Sequence, residues 1–358
     1  GSTGKPKLIV SNRRAEVDPD CCEVWDSAVH GGRLGRPGGS LLNTGPLYHN
    51  GPFNMSAHAM FMGCTLYSLT RFDPEETLRQ LARYRIETVY LVPTMMNRIW
   101  RLPPEVRDSY DLSSLRGIMH MAAPCPQWLK RAWIDWLGPE RIWECYGSTE
   151  GVGSTLISGE EWLKKPGSVG RFHGYPMNAK AKILDPEGRE VPPGTVGELF
   201  CLPPTGPRST YHYIGAERRE RDGWESVGDM GYIDEDGYFF LADRRVDLIL
   251  RGGVNIYPAE VEAAIESHPD VVASIVVGKP DPDMGMRVHA VVQVAEGRSG
   301  EKLDEELKAY LANHLTPYKI PESFEIVHEP LRDEAGKSRR WAHREESPRT
   351  LQMSDNKI

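Results

Sequence analysis

In PEETLRQLARYRI a proline start is followed by Leu78, Leu81, Ala82 and Ile86 at helical spacing, which predicts an amphipathic helix. The next stretch, ETVYLVP, is a short apolar run of strand-forming residues. The same order returns in LRGIMHMAA, PQWLKRAWIDWLG and RIWECYGSTEG. Alternation of this kind predicts a parallel sheet with helices packed on it. It also places the loops 121–126 and 146–151 at the carboxyl ends of strands, where α/β sheets bind ligands.

Between 167 and 243 the pattern changes to short strands and turns. AKILDPEGREVPPGTVGELFC sets a D-P-E-G turn between alternating segments, and GYIDEDGYFFLADR repeats the design with E-D-G. After Arg244 the segments YPAEVEAAIESHP, VVASIVVGKPD, RVHAVVQVAEG, EKLDEELKAYLANHL and ESFEIVHE predict the order helix, strand, strand, helix, strand. The expected fold class is therefore α/β: a parallel-sheet subdomain and a β-rich subdomain, then a small C-terminal α+β domain. The expected boundaries are 1–243, 244–345 and a polar tail over 346–358.

Composition narrows the function classes. With 358 residues, 39% of them hydrophobic, the chain is long enough for two or three domains with sizeable cores. A net charge of −8 argues against a general binder of nucleic acid or anionic membrane, so any phosphate site has to be local. The six cysteines, at 21, 22, 64, 125, 145 and 201, contain no C-x-x-C pair and suggest neither a zinc site nor a disulfide framework. Reduced thiols and a cytoplasmic protein are expected. No apolar run reaches the roughly 18 residues of a membrane span, and no signal peptide is expected at the N-terminus.

Four segments can carry chemistry, and each also has a plain reading. In GSTGKPK the small residues let backbone N–H groups approach an anion, with Lys5 and Lys7 supplying charge. Pro6 after Lys5 rules out a Walker loop, and a solvated turn or a tag remnant competes with the phosphate reading. In WECYGSTEG, Thr149 can bond a phosphate and Glu150 suits a hard cation, while a helix cap at Ser148 or Thr149 is the competitor. Asp229, between two glycines, can accept from a vicinal diol or simply stabilise a turn; Arg244 and Asp247 can be a surface charge pair, and RGGVN a flexible joint. Lys337 follows Gly336 in LRDEAGKSRRW and is either catalytic or a solvated lysine of a basic tail.

Taken together and in this order, these motifs resemble the AMP-forming acyl-CoA synthetase superfamily, which includes luciferases and peptide-synthetase adenylation domains. The resemblance runs from Gly1 to about residue 340. GSTGKPKLIV, PLYHNGPF, MAAPCP and DRRVDLILRGGVNIYPAEVE look like the bacterial branch with bile-acid, steroid-side-chain and fatty-acyl CoA ligases. It implies that the chain begins at the first glycine of the family's phosphate loop, with the first half of the large N-terminal domain absent. Ser2, Thr3, Gly4 and Lys7 then fall on the phosphate-contacting part. Thr149 lies near the nucleotide phosphates and Glu150 at Mg²⁺, which is the expected metal ligand. Ala122, Ala123 and Pro124, with Glu144, Tyr146 and Gly147, enclose adenine; Asp229 and Arg244 bind the ribose hydroxyls. Lys337 reaches the α-phosphate and the acid's carboxylate. His49 falls on the acyl-site motif, where a core or surface histidine is the competing reading, and Met55, His58, Met60, Phe61 and Met62 line or back the acyl pocket. Gly252 and Gly253 form the glycine-rich side presented after a pivot just past Arg244, where Val246 stands in place of the usual Lys or Asp.

The implied activity is ATP-dependent adenylation of a hydrophobic carboxylic acid, then acyl transfer to coenzyme A, with ATP/AMP, Mg²⁺ and coenzyme A as cofactors. The implied partners are the acid and coenzyme A, without nucleic acid or an integral membrane span, and a homodimer is left open. Two alternatives stand beside it: an adenylation domain charging a carrier protein, and a truncated, inactive nucleotide-binding fragment.

Overall fold

The apolar runs read as strands form the parallel part of one sheet. In the computed structural model the described residues are 7–12, 35–172, 179–295, 297–298, 302–333, 336–338 and 340–343. They divide into two units. The larger is Lys7–Arg245 with Arg332–Lys337, and the smaller is Val246–Leu331 with the described residues from Ser338 on.

In the larger unit β1 (Leu8–Ser11) stands apart. β2 (Ser40–Asn43), β3 (Thr65–Ser68), β4 (Thr88–Leu91), β5 (Gly117–His120) and β6 (Ile142–Gly147) run parallel in the order β3-β2-β4-β5-β6. Four helices pack with these strands: α1 (Asn50–Phe61), α2 (Pro74–Arg83), α3 (Pro93–Trp100) and α4 (Gln127–Leu137). The start of α2 is written locally: Asp73 accepts from the Glu76 amide at 2.8 Å, Pro74 opens the first turn, and Leu78 and Leu81 face inward. Ile86, Val89, Met96, Ile99, Ile118 and Ile142 are fully buried, each such side chain contributing about 1.5–3 kcal/mol.

Past β6 the sheet turns antiparallel and joins the β-rich part. β7 (Ser154–Ser158) pairs with β6, and β8 (Gly170–Arg171), β9 (Lys180–Leu184) and β10 (Gly197–Leu202) follow in the chain. β11 (Tyr211–Ile214) leaves the sheet and pairs with β1. β12 (Arg219–Arg221), β13 (Trp224–Ser226), β14 (Asp229–Ile233) and β15 (Tyr238–Arg244) complete a sheet of 13 strands among the described residues. Val152, Val169, Phe172, Leu199, Tyr211 and Phe239 form its own core.

The smaller unit has a hairpin of β16 (Ile249–Arg251) and β17 (Val254–Ile256), then α5 (Pro258–Glu266), β18 (Val271–Asp281), β19 (Gly285–Val294), α6 (Leu303–Leu311) and β20 (Ser323–Val327). The last five follow the order expected from sequence. β19 pairs antiparallel with β18 and parallel with β20. Asp247 is buried rather than on the surface, and its Oδ2 accepts from Arg340 Nη1 at 3.0 Å, while Arg340 also holds Glu262 at 2.7 Å. Among the described residues no helix is long and apolar enough to cross a membrane.

Candidate active site

The turn at 148–151 leads into β7, a strand, so Ser148 and Thr149 cap no helix here. Glu150 is buried and Thr149 beside it is exposed. Glu150 Oε1 accepts from the Tyr213 hydroxyl at 2.6 Å and lies 3.5 Å from Lys7 Nζ. Lys7 Nζ donates to Tyr213 Oη at 2.8 Å and lies 3.9 Å from the centroid of that ring. The β1–β11 ribbon, with Leu8 opposite Ile214 and Ile9 opposite Tyr213, delivers this arrangement. Burial, then the bond to Glu150, pushes the Tyr213 hydroxyl up. Tyr213 was not foreseen in the sequence; its only signal is the alternation of Tyr211 and Tyr213, which any strand shows.

Asp229 is no turn residue. It opens β14, and the β14–β15 register sets it opposite Arg244, whose Nε lies 3.6 Å from its Oδ1. The Tyr146 hydroxyl donates to Asp229 Oδ2 at 2.6 Å. Burial pushes the Asp229 carboxyl up; Arg244 and Tyr146 pull it back, and Glu150 and Glu198 add to the rise, so Glu150 and Asp229 share one neighbourhood. Glu144 differs from the other expected residues: its carboxylate is buried and accepts from Lys130 Nζ at 2.6 Å, inside the fold. Gly147 closes β6 and is exposed. Ala122 has φ 78°, a left-handed conformation costly for an alanine, and is exposed with Pro124 beside half-buried Ala123.

His49 precedes α1 and is half-buried. The first turn of α1 lies tight on β4: a Cβ on Gly51 would stand 2.8 Å from Tyr90 Oη and 3.1 Å from Met121 Sδ. Only glycine fits there without displacement. Met55 is buried, whereas Met60 and Phe61 are exposed, so a helix core accounts for Met55 alone of these three. Lys337 is exposed on a closed turn. Its amide donates to Asp333 Oδ1 at 2.9 Å, Asp333 N donates to Lys337 O at 3.0 Å, and Gly336 takes φ 73° to allow it. Lys337 and His49 belong to the same unit, and the lysine's charge helps to hold the imidazole below its ordinary range.

Within the larger unit, direct contacts thus join Lys7, Tyr213 and Glu150 in one set and Tyr146, Asp229 and Arg244 in another, the charge of Glu150 reaching Asp229, while the charge of Lys337 reaches His49. Gly252 and Gly253 make the turn of the β16–β17 hairpin in the smaller unit. Ser2, Thr3 and Gly4 lie outside the described residues, as do Cys21, Cys22 and the tail beyond 343. Glu150 fits a hard cation: Oε1 is held by Tyr213, and Oε2 accepts nothing from the described residues. No cluster of three or more His, Cys, Asp or Glu that could hold a metal ion occurs among the described residues.

Comparison with known proteins identifies the family. The AMP-binding enzyme family matches residues 1–205 and the AMP-binding enzyme C-terminal domain matches 260–337. A fatty acid–[acyl-carrier-protein] ligase of Streptomyces coeruleorubidus is 33% identical over 94% of the chain and 64% of its own length. A long-chain-fatty-acid–CoA ligase of Bacillus subtilis is 30% identical over 94% and 59%. Thus the chain spans about three fifths of the length of these curated relatives. The solved o-succinylbenzoate–CoA synthetase of Bacillus subtilis, in complex with its acyl-adenylate intermediate, superposes with a TM-score of 0.75 at 27% identity, over 97% of this chain and 68% of that one. With its α/β fold and both of these matches, the chain belongs to the AMP-binding enzyme family.

Proposed function

We propose that the chain serves an ATP-dependent acid–thiol ligase that adenylates a hydrophobic carboxylic acid and passes the acyl group to coenzyme A. The observation that carries this reading is that the Lys7–Glu150 pair and the Asp229–Arg244 pair lie in one unit, with the charge of Glu150 felt at Asp229: phosphate and metal chemistry near a diol acceptor. Asp229 accepts from the ribose hydroxyls, its carboxylate oriented by Tyr146 and Arg244. Ala122, Ala123 and Pro124, with Tyr146 and Gly147, border adenine, while Glu144 supports that wall from inside through Lys130. Thr149 and Lys7 contact the phosphates, with Ser2, Thr3 and Gly4 of the same loop, and Glu150 would hold Mg²⁺. Bound there, Mg²⁺ would offset the charge of the phosphates.

Acid and nucleotide are both anionic. Lys337 bridges the acid's carboxylate and the α-phosphate, lowering their repulsion and stabilising the oxyanions as pyrophosphate leaves. His49, kept neutral by burial and by Lys337, lines the carboxylate end without adding charge. A thiol then attacks the carbonyl of the mixed anhydride, the acyl–phosphate bond breaks and AMP leaves, with the Gly252–Gly253 turn serving this second step and the stretch after Arg244 as the pivot. The described cysteines, Cys64, Cys125, Cys145 and Cys201, are present as thiols, which suits a cytoplasmic setting.

Delivery to a carrier protein is the second reading, favoured by the name of the relative at 33% identity. One assay separates the two: AMP formation with ATP and bile, steroid side-chain or medium-chain fatty acids, with coenzyme A or a phosphopantetheinyl carrier as acceptor. Stimulation by coenzyme A is expected; stimulation by the carrier alone favours the second reading. Nucleotide binding without AMP formation from any acid would leave a binding fragment. Gel filtration tests whether the chain forms a homodimer.

A further inference from the structure

Lys7 is held by three features at once: the Tyr213 hydroxyl at 2.8 Å, the Glu150 carboxylate at 3.5 Å and the Tyr213 ring face at 3.9 Å. The phenol has a single proton, and it is directed to Glu150 Oε1 at 2.6 Å, so Tyr213 accepts from Lys7 while donating to Glu150. One hydroxyl thereby ties a cation and an anion together. Glu150 is buried, and a buried carboxylate is costly unless paired and hydrogen-bonded. In this arrangement Lys7 and Tyr213 meet that need.

From this geometry we propose that Lys7 is the resident counter-cation of Glu150, anchored by Tyr213, and that a divalent metal ion entering at Glu150 displaces it. The proposal rests on the reading of Glu150 as a metal ligand. A metal ion and an ammonium on one carboxylate repel each other, so metal alone competes with Lys7. When the metal arrives with a triphosphate, the displaced ammonium gains phosphate oxygens as partners, and competition becomes cooperation. Lys7 therefore disfavours metal without nucleotide and favours metal with it. Tyr213 is a positioning residue, acting through Lys7 and Glu150 and touching neither phosphate nor metal.

The sign of the effect is what a merely structural role would not reproduce. Mn²⁺ binding to the full chain is read from the electron paramagnetic resonance signal of free Mn²⁺, first without nucleotide and then with ATP. Lys7→Met is expected to tighten binding of Mn²⁺ alone by about threefold, the scale of a partly exposed ion pair, and to weaken binding of Mn²⁺–ATP by at least as much. Tyr213→Phe leaves Lys7 and Glu150 in place but removes the anchor, and is expected to tighten Mn²⁺ alone by a smaller factor. Glu150→Gln is expected to abolish the site, with circular dichroism confirming that each variant is folded. Unchanged or weaker Mn²⁺ binding in folded Lys7→Met, with Glu150→Gln still abolishing it, overturns the exchange and leaves the reading of Glu150 standing. Mn²⁺ binding undiminished in Glu150→Gln overturns both.

Discussion

His49 carries a record of its surroundings in its protonation. Burial lowers its pKa most, the positive charge of Lys337 lowers it further, and Asp333 opposes them. A histidine depressed in the fold contributes stability above its unfolded pKa and loses it as pH falls through the folded value. Lys337→Ala removes one of the lowering causes, so the His49 pKa should rise toward its ordinary value, as followed by an NMR titration of the imidazole C–H signals. An unchanged pKa would mean that the lysine does not face His49. At this scale the sequence was partly legible. Asp229, Glu150 and Lys337 stand out because acids and lysines beside glycines in turns are suspicious residues. Tyr213 is equally involved and carried no such mark, since its role depends on β1 and β11 pairing across some two hundred residues of chain.

Between elements, the β5–β6–α4 layer holds polar groups where the apolar pattern suggested only core. Lys130, on the inward face of α4, is buried and pairs with Glu144 of β6, its ammonium 5.3 Å from the centroid of the Trp162 ring. Removing either partner would strand a buried charge. His120 of β5 lies opposite Glu144 in register, fully buried, and neither ring nitrogen has a hydrogen-bond partner among the described residues. Burial, against the pull of Glu144 and with the help of Lys130, lowers its pKa from 6.5 to about 4. The folded chain thus refuses a proton that the unfolded chain takes up, and stability is lost as pH falls from about 6.5 to about 4. Over pH 7 to 5 that loss is about 2 kcal/mol from this group. His120→Leu should shrink the pH-dependent drop in the urea midpoint over that interval, and an equal drop in the variant would assign the acid sensitivity elsewhere. Helix and strand periods were readable here because they depend on local spacing. The Lys130–Glu144 pair was not, because PQWLKRAW reads as an ordinary amphipathic helix until β6 is known to lie beneath it.

Across the whole molecule, the order of motifs was more informative than any single one. Gly-rich loop, MAAP, YGSTE, GDMGY, DRR and GK each had a plain alternative. The structure removes several of those: a turn leading into a strand, not a helix, after Thr149, a strand register where a turn is the alternative at Asp229, and burial beside Arg340 where Asp247 reads as a surface charge. The division into two units, with Arg332–Lys337 grouped with the larger, follows from contacts that no local pattern encodes. The central claim is acid adenylation at the site of Lys7, Glu150, Asp229 and Lys337, and acid-dependent pyrophosphate release from ATP tests it most directly. The account predicts release that requires both a carboxylic acid and Mg²⁺, and falls about a hundredfold or more in Lys337→Ala while ATP still binds. Release that is indifferent to the acid, or equal in Lys337→Ala, would contradict it.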